Sequence, residues 1–247
     1  MAGIDGDTKL MLHLDGADEA QSTTDSSPSN HTIGFTLDAK LDSAQKKFGA
    51  TSLYVDGTGD DLEIADSADW DVFGSNADNW TVDFWYKFEG APSGFETFLS
   101  QYESSNDNWR IMHESGAHGM TVKVLTGGGI VIQLGDDSTY IEDDTDWHHF
   151  ALIKVADEYG YYIDGVQKDY TQDSSTDTYS DTLTIGSTES ASSFFQGWMD
   201  EVRIQKSNYF NAAPNSTPND SFTAPTAAYS WEAPTGAMNI GSEPAMY

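Results

Sequence analysis

Forty-one Asp and Glu residues stand against eleven Lys and Arg in this chain of 247, so carboxylate chemistry is the first possibility to weigh. Carboxylates catalyse as pairs held at a fixed separation, or gather as hard oxygen donors around a divalent cation. Useful pairs are scarce. Glu63 and Asp66 have the wrong spacing, and Asp200 and Glu201 are neighbours whose side chains leave a strand on opposite sides. The same alternation separates His148 from His149, so the two rings cannot chelate one ion together and are expected in the core beside Trp147. The chain has no cysteine, which excludes thiolate metal sites, disulfides and thiol catalysis. It has no nucleophile elbow and no string of acids with EF-hand spacing. Gly127-Gly128-Gly129 reads as a turn, since no helix follows it to aim amides at a phosphate. The glycine-acid loop Asp56–Asp61 and the surroundings of Asp200 remain as places for a ligand.

The net charge of −30 repels phosphate backbones and anionic lipid, so neither nucleic-acid binding nor membrane insertion is expected. It suits a solvated surface in a salty medium, with a few acids left to hold a divalent cation. No apolar run is long enough to cross a bilayer. Residues Met1 to Asp7 show neither a basic n-region nor an apolar h-region, so either folding in a cytoplasm or a mature fragment of a longer chain is expected. The Asn-x-Ser/Thr sequons at Asn30, Asn79, Asn215 and Asn219 are read as chance.

The elements that must position these residues are strands. From Trp147 to Val155, one face carries Trp147, His149, Ala151, Ile153 and Val155; the other carries His148, Phe150, Leu152 and Lys154. Both faces are largely apolar, as in a strand covered on both sides. Asp157-Glu158-Tyr159-Gly160 supplies a turn, Tyr161 to Ile163 a second strand, and a third leaves at Val166. Asp164-Gly165 marks a two-residue hairpin, because both central residues of a type I′ turn need positive φ. Trp80, Val82, Phe84, Tyr86 and Phe88 alternate along a long strand. Shorter strands are expected at 9–14, 52–55, 62–64, 96–101, 109–114, 120–126, 130–134 and 181–186 and a last long one at 194–204, with a loop and at most one helical turn at 65–79. No amphipathic helix of three turns appears. The pattern predicts an all-β, two-sheet antiparallel sandwich of jelly-roll type.

Composition changes after Phe210. Five of the seven prolines lie at Pro214, Pro218, Pro225, Pro234 and Pro244, and no Lys or Arg follows Lys206. Such prolines preclude a paired ladder and favour extended backbone. The segment still carries Phe222, Tyr229, Trp231 and Tyr247, anchors that an ordinary linker lacks. Two uses are open: packing on its own domain, or docking on a neighbouring subunit. The expected organisation is a jelly roll over 1–207 and an extended C-terminal arm over 208–247.

Four segments in order resemble the LamG-like, laminin-G-3 form of the concanavalin A-like jelly roll. They are His13-Leu14-Asp15-Gly16 with Asp25-Ser26-Ser27; Phe48-Gly49-Ala50 to Asp56-Gly57 and Asp61-Leu62-Glu63-Ile64; Trp80-Thr81-Val82-Asp83-Phe84-Trp85-Tyr86-Lys87; and Trp147 to Leu152, Ile163-Asp164-Gly165, Ile185-Gly186 and Gly197 to Ile204. Pro28 stands where the family's opening loop has glycine. The resemblance spans about residues 9–207. It implies one structural calcium between the opening and closing strands, held by Asp200, a carbonyl near Gly49, and Asp15. It also implies sugar platforms on the concave sheet, for which Trp109, Tyr102, Tyr140 and Trp85 are the candidate rings. Glucanases of this fold use Glu-x-Asp-x-x-Glu, and no such string occurs, so no enzyme activity is expected.

The lack of an export signal, the acidic surface and the aromatic-proline arm lead to the expectation of a virion protein made in a host cytoplasm: a capsid decoration, tail or fibre component. It would contact itself or other virion proteins through Phe222, Tyr229, Trp231 and Tyr247. The alternative is a calcium-dependent carbohydrate-binding module of a bacterial surface protein, acting outside the cell on glycans.

Overall fold

A computed structural model describes residues 2–92, 94–114, 119–135, 145–188 and 193–231. Its strands, in chain order, are β1 (Ala2–Ile4), β2 (Thr8–Leu12), β3 (Gly34–Phe35), β4 (Lys40–Asp42), β5 (Ser52–Asp56), β6 (Leu62–Ile64), β7 (Trp80–Phe88), β8 (Glu96–Ser104), β9 (Asp107–Glu114), β10 (Gly119–Thr126), β11 (Gly129–Leu134), β12 (His148–Val155), β13 (Glu158–Ile163), β14 (Val166–Gln172), β15 (Leu183–Ile185), β16 (Gln196–Gln205) and β17 (Ser230–Trp231). A single 3₁₀ turn, Ala68–Trp70, breaks the loop before β7, capped by the Ser67 hydroxyl accepting from the Asp69 amide.

Two antiparallel sheets face each other. The first runs β11-β10-β9-β8-β15-β6-β3; the second runs β14-β13-β12-β7-β16-β5-β4, with β2 beside the far half of β16. Strict alternation builds the layer between them. Trp80, Val82, Phe84, Tyr86 and Phe88 of β7 point inward, and Phe84 stacks on Phe98 of the opposite sheet at 5.5 Å and on Phe150 of β12 at 5.1 Å. In the hairpin, Asp164 and Gly165 take φ of +52° and +79°, as the type I′ turn demands. The preceding turn differs from expectation. β13 already begins at Glu158, and Ala156, at φ +57°, makes the reversal with Asp157. Aromatic and β-branched neighbours extend the ladder through residues whose polarity suggested a loop.

The proline-rich segment is the main departure. Residues 208–231 lie on their own domain, over the outer face of the second sheet. Phe210, Ala212 and Phe222 pack on Ala151, Ile153 and Tyr162, and Tyr229 packs on Ile4, Met11 and Tyr209. The segment even forms ladder: β17 pairs parallel with β1, and Ser221 bridges to Val166. The second apolar face of β12 is therefore covered by the chain's own C-terminal segment. Phe222 and Tyr229, expected to reach a neighbour, are held within the domain; Trp231 is 56% exposed, and Tyr247 lies outside the described residues. The correction has a simple cause. A central strand that is apolar on both sides needs a cover, and the nearest aromatic segment in the chain provides it.

Candidate cation cradle and ligand cleft

Strands β7 and β16 pair in register until a bulge, where the pairing shifts between Asp200 and Arg203. Glu201 takes φ +52° in that bulge. Bulges re-aim side chains, and this one sends two adjacent carboxylates to different partners. Asp200 turns to the loop after β4: its Oδ2 accepts from the Lys47 amide at 2.8 Å and the Phe48 amide at 3.0 Å. Glu201 turns to the other side, taking Nδ1 of His13 at 2.7 Å on one oxygen and the Tyr229 amide at 2.7 Å on the other. Burial lowers the His13 pKa, but the Glu201 hydrogen bond and charge, with Asp15 and Asp200, raise it on balance.

Asp200 is fully buried and its second oxygen, Oδ1, has no hydrogen-bond partner. Burial, reinforced by the charges of Glu201 and Asp15 and resisted by the two amides, pushes its carboxyl up to about 8. Such an atom calls for either a proton or a cation. The neighbouring loop has the shape of a cradle. Gly49 adopts φ +61°, and a Cβ there would fall 2.1 Å from Oδ1 of Asp15. Only glycine lets the Asp15 carboxylate seat against this backbone, where it accepts the amides of Ala50 and Thr51. Thus the three residues expected to hold calcium are assembled in one corner. Among the described residues no group of three acidic or histidine side chains is close enough to hold a metal by itself. An ion would rest on Asp200 and Asp15, with loop carbonyls completing the shell, which is the donor chemistry calcium accepts.

A cleft of about 480 Å³ lies on the adjoining edge, lined by Glu19, Gln21, Asp38, Lys40, Tyr54, Asp56 and Asp60. Alternation along β5 puts Leu53 and Val55 in the core and turns Tyr54 outward. Trp198 is its cross-strand partner on β16, and the two half-buried rings meet at 5.1 Å with a 40° tilt. Each ring is held by its polar end: Trp198 Nε1 donates to Asp42 at 2.8 Å, and the Tyr54 hydroxyl donates to Glu89 at 3.2 Å. Burial first, then Glu89, pushes the Tyr54 phenol up to about 12, so it stays a donor at neutral pH. Asp60 is buried and accepts the Asp38 and Asp56 amides, fixing the floor of the loop; burial raises its pKa. Lys40 pairs with Glu19 at 2.8 Å across the mouth.

The rings expected as sugar platforms lie elsewhere. Trp109 is 1% exposed, its indole N–H donating to Gln101 at 3.1 Å and its ring 5.9 Å from Phe73, so it is core and offers no face to a ligand. Trp85 is covered by the Lys47 ammonium, 3.7 Å from its ring centre, and by the edge of Phe48. Tyr102 is half-buried beside the Arg110 guanidinium, 5.8 Å away. Tyr140 lies outside the described residues. The Tyr54–Trp198 pair went unnoticed because each ring sits in a separate short motif. The alternation Leu53-Tyr54-Val55 and Gly197-Trp198-Met199 does place both outward. Only the register makes them neighbours.

The two histidines separate as alternation requires. His148 Nδ1 meets Asp164 at 2.7 Å, while His149 is buried with Nε2 3.0 Å from Asp83. Asp83 also accepts Arg203 Nε at 2.8 Å and the Tyr229 hydroxyl, and Arg203 in turn donates to Tyr229 at 3.0 Å and to the Gly3 carbonyl at 3.1 Å. Burial raises the Asp83 pKa, but Arg203 and His149 overcome this and hold it below the usual carboxylate range.

The profile described as the concanavalin A-like lectin/glucanases superfamily, laminin G 3, matches residues 56–213. Among solved structures, domain 4 of AbnA, a GH43 extracellular arabinanase from Geobacillus stearothermophilus in complex with arabinotriose, aligns with a TM-score of 0.62 at 15% identity, over 82% of this chain and 93% of that one. The binding domain of botulinum neurotoxin serotype D aligns with a TM-score of 0.63 at 14% identity, over 83% of this chain and 49% of that one. The binding domain of botulinum neurotoxin DC in complex with SialylT aligns with a TM-score of 0.60 at 12% identity, over 82% and 48%. The chain thus spans about half the length of the toxin domains it matches. No curated protein matches it.

Proposed function

Because this chain belongs to the laminin-G-3 family of the concanavalin A-like lectin/glucanases superfamily, we propose that it is a non-catalytic, lectin-like module that binds a glycan against the Tyr54–Trp198 face and its cleft. One observation carries this reading: two half-buried rings, each oriented by a carboxylate, stand beside a cleft rimmed by acids, an amide and an ammonium. Sugars are recognised by an aromatic face for their C–H side and fixed polar groups for their hydroxyls. That two of the similar structures hold arabinotriose and SialylT lends support. Binding isotherms against arabino-oligosaccharides, neutral hexose oligomers and sialylated glycans test it. One class should bind, and Trp198→Ala should weaken it at least about tenfold, or about 1.4 kcal/mol. Full affinity in both Trp198→Ala and Tyr54→Ala would place the site elsewhere.

A structural calcium at Asp200 and Asp15 is part of the proposal, supported by the partnerless Asp200 oxygen and the glycine cradle beside it. Its role would be to fix the loop carrying Gly49, and so the β4–β5 corner that bears the cleft. Calcium should raise the thermal midpoint of the wild type and leave Asp200→Asn unchanged; an equal rise in both would dismiss the site. A virion role drew on the arm as a docking element. With Phe222 and Tyr229 packed inside the domain, the glycan reading has the better support, in an extracellular or cell-surface setting.

A further inference from the structure

At one end of the sandwich the connections through residues 36–38, 57–61, 89–92, 94–96 and 193–196 converge. Two clefts of about 250 Å³ and about 280 Å³ open there and share Phe194 as a wall. Leu37 lines the first and is 71% exposed; Phe95 lines the second and is 51% exposed. Leu37 is not loosely held. Its φ is +44°, a left-handed conformation that leucine enters at a cost. Gln21 Nε2 donates to its carbonyl at 2.7 Å, the Asp38 amide to Asp60 at 2.9 Å, and the Ala39 amide to Thr36 at 3.1 Å. A strained, pinned turn that holds a leucine in solvent, across Phe194 from a second exposed apolar side chain, is an outlier that a contact surface would account for.

The charge around these two residues is of one sign. Asp61, Glu63 and Glu96 line the clefts, with Glu89 in the adjoining hollow, and no Lys or Arg occurs in residues 36–38, 56–63, 89–96 or 193–196. This decides among occupants. A second copy would bring another −30. The C-terminal residues 232–247 carry Glu232 and Glu243 and no cation. Nucleic acids and anionic membranes are repelled. What complements an apolar pair inside a ring of carboxylates is a basic surface with an apolar anchor.

We propose that this end of the sandwich docks a cationic protein segment, which sets an apolar side chain between Leu37 and Phe95 and places Lys or Arg against Glu63 and Glu96. The apolar anchors are distinct from the rings assigned to sugar, and Glu89, which orients Tyr54, is left unaltered in the test, so the proposal stands apart from the glycan reading.

The test uses the full chain and three fluorescent peptides of equal length, alternating Lys with Leu, Lys with Ser, and Glu with Leu. Anisotropy should show the Lys–Leu peptide binding, weakening as salt rises, and at least about tenfold tighter than the other two. The double variant Leu37→Ser, Phe95→Ser should lose about tenfold, and the single variant Glu63→Lys about fivefold. Both variants alter exposed groups and should melt as the wild type does, which circular dichroism checks. Equal binding of the Lys–Ser peptide, or unchanged affinity in either variant, would reduce the effect to general attraction by an acidic protein and overturn the proposal. So would failure of the Lys–Leu peptide to bind.

Discussion

The outer face of the second sheet has two halves built from the same two strands. On one half, Asp83 of β7 and Arg203 of β16 lie fully buried beneath the C-terminal segment, with His149 and Tyr229 closing the network. On the other, Trp85 of β7 lies under Lys47 and Phe48, Trp198 of β16 stands half-buried against Tyr54 beside a cleft, and Asp200 keeps one oxygen without a partner. The bulge between Asp200 and Arg203 divides them. Both halves carry charge and aromatics, so composition does not distinguish them. The covered half satisfies nearly every polar group and serves stability; the uncovered half leaves rings and donors in place for something from outside. In such a sheet, function is to be sought where the chain has not covered itself.

The contrast can be broken most severely at Asp83. Asp83→Ala would leave the Arg203 guanidinium buried and uncompensated, at a cost of about 3–5 kcal/mol in denaturant unfolding. Its pH signature follows from the lowered carboxyl: the stabilisation is complete above the usual carboxylate range and is lost as pH falls through the depressed folded value. Wild type should therefore lose stability on the acid side, and Asp83→Asn should flatten that limb. Next is Tyr229→Phe, which removes a hydroxyl that donates to Asp83 and accepts from Arg203. It should cost about 1.5–3 kcal/mol, and hydrogen exchange should show residues 208–231 opening first. Small stability losses in both variants would mean that the C-terminal segment is only loosely attached.

On the open half the same kind of change should matter far less to the fold. Trp198→Ala should cost about 1 kcal/mol, since the ring is only half-buried, while removing the proposed glycan affinity. Trp231→Ser, at an exposed ring, should lie within about 0.5 kcal/mol of wild type. If Trp198→Ala unfolded the domain as readily as Asp83→Ala, the two halves would not differ in kind.

Much of this was legible beforehand where the signal was local. The alternation over Trp80–Phe88 and His148–Val155 fixed both central strands, and Asp164-Gly165 fixed their hairpin. Asp200, Gly49 and Asp15 lie at one corner, and the calcium there is a proposal. The Tyr54–Trp198 pair and the burial of Trp109 were not legible, because an aromatic at a strand position is core or surface according to which sheet face the register assigns it. Prolines at Pro214, Pro218 and Pro225 argued against a paired ladder, yet Ser221 bridges to Val166 and β17 pairs with β1, and composition could not say what the segment would lie on.

By itself, then, the sequence determined the two central strands, the Asp164-Gly165 hairpin and an acidity that disfavours phosphate backbones and anionic lipid, since period-two patterning, turn stereochemistry and net charge are properties of neighbouring residues or of simple sums. The tertiary structure alone decided that Tyr229 caps Asp83 and Arg203, that a bulge sends Asp200 and Glu201 apart, and that Leu37 and Phe95 share one acidic end. Those are contacts between residues far apart in the chain, and only packing, which assigns each face a cover or leaves it bare, brings them together.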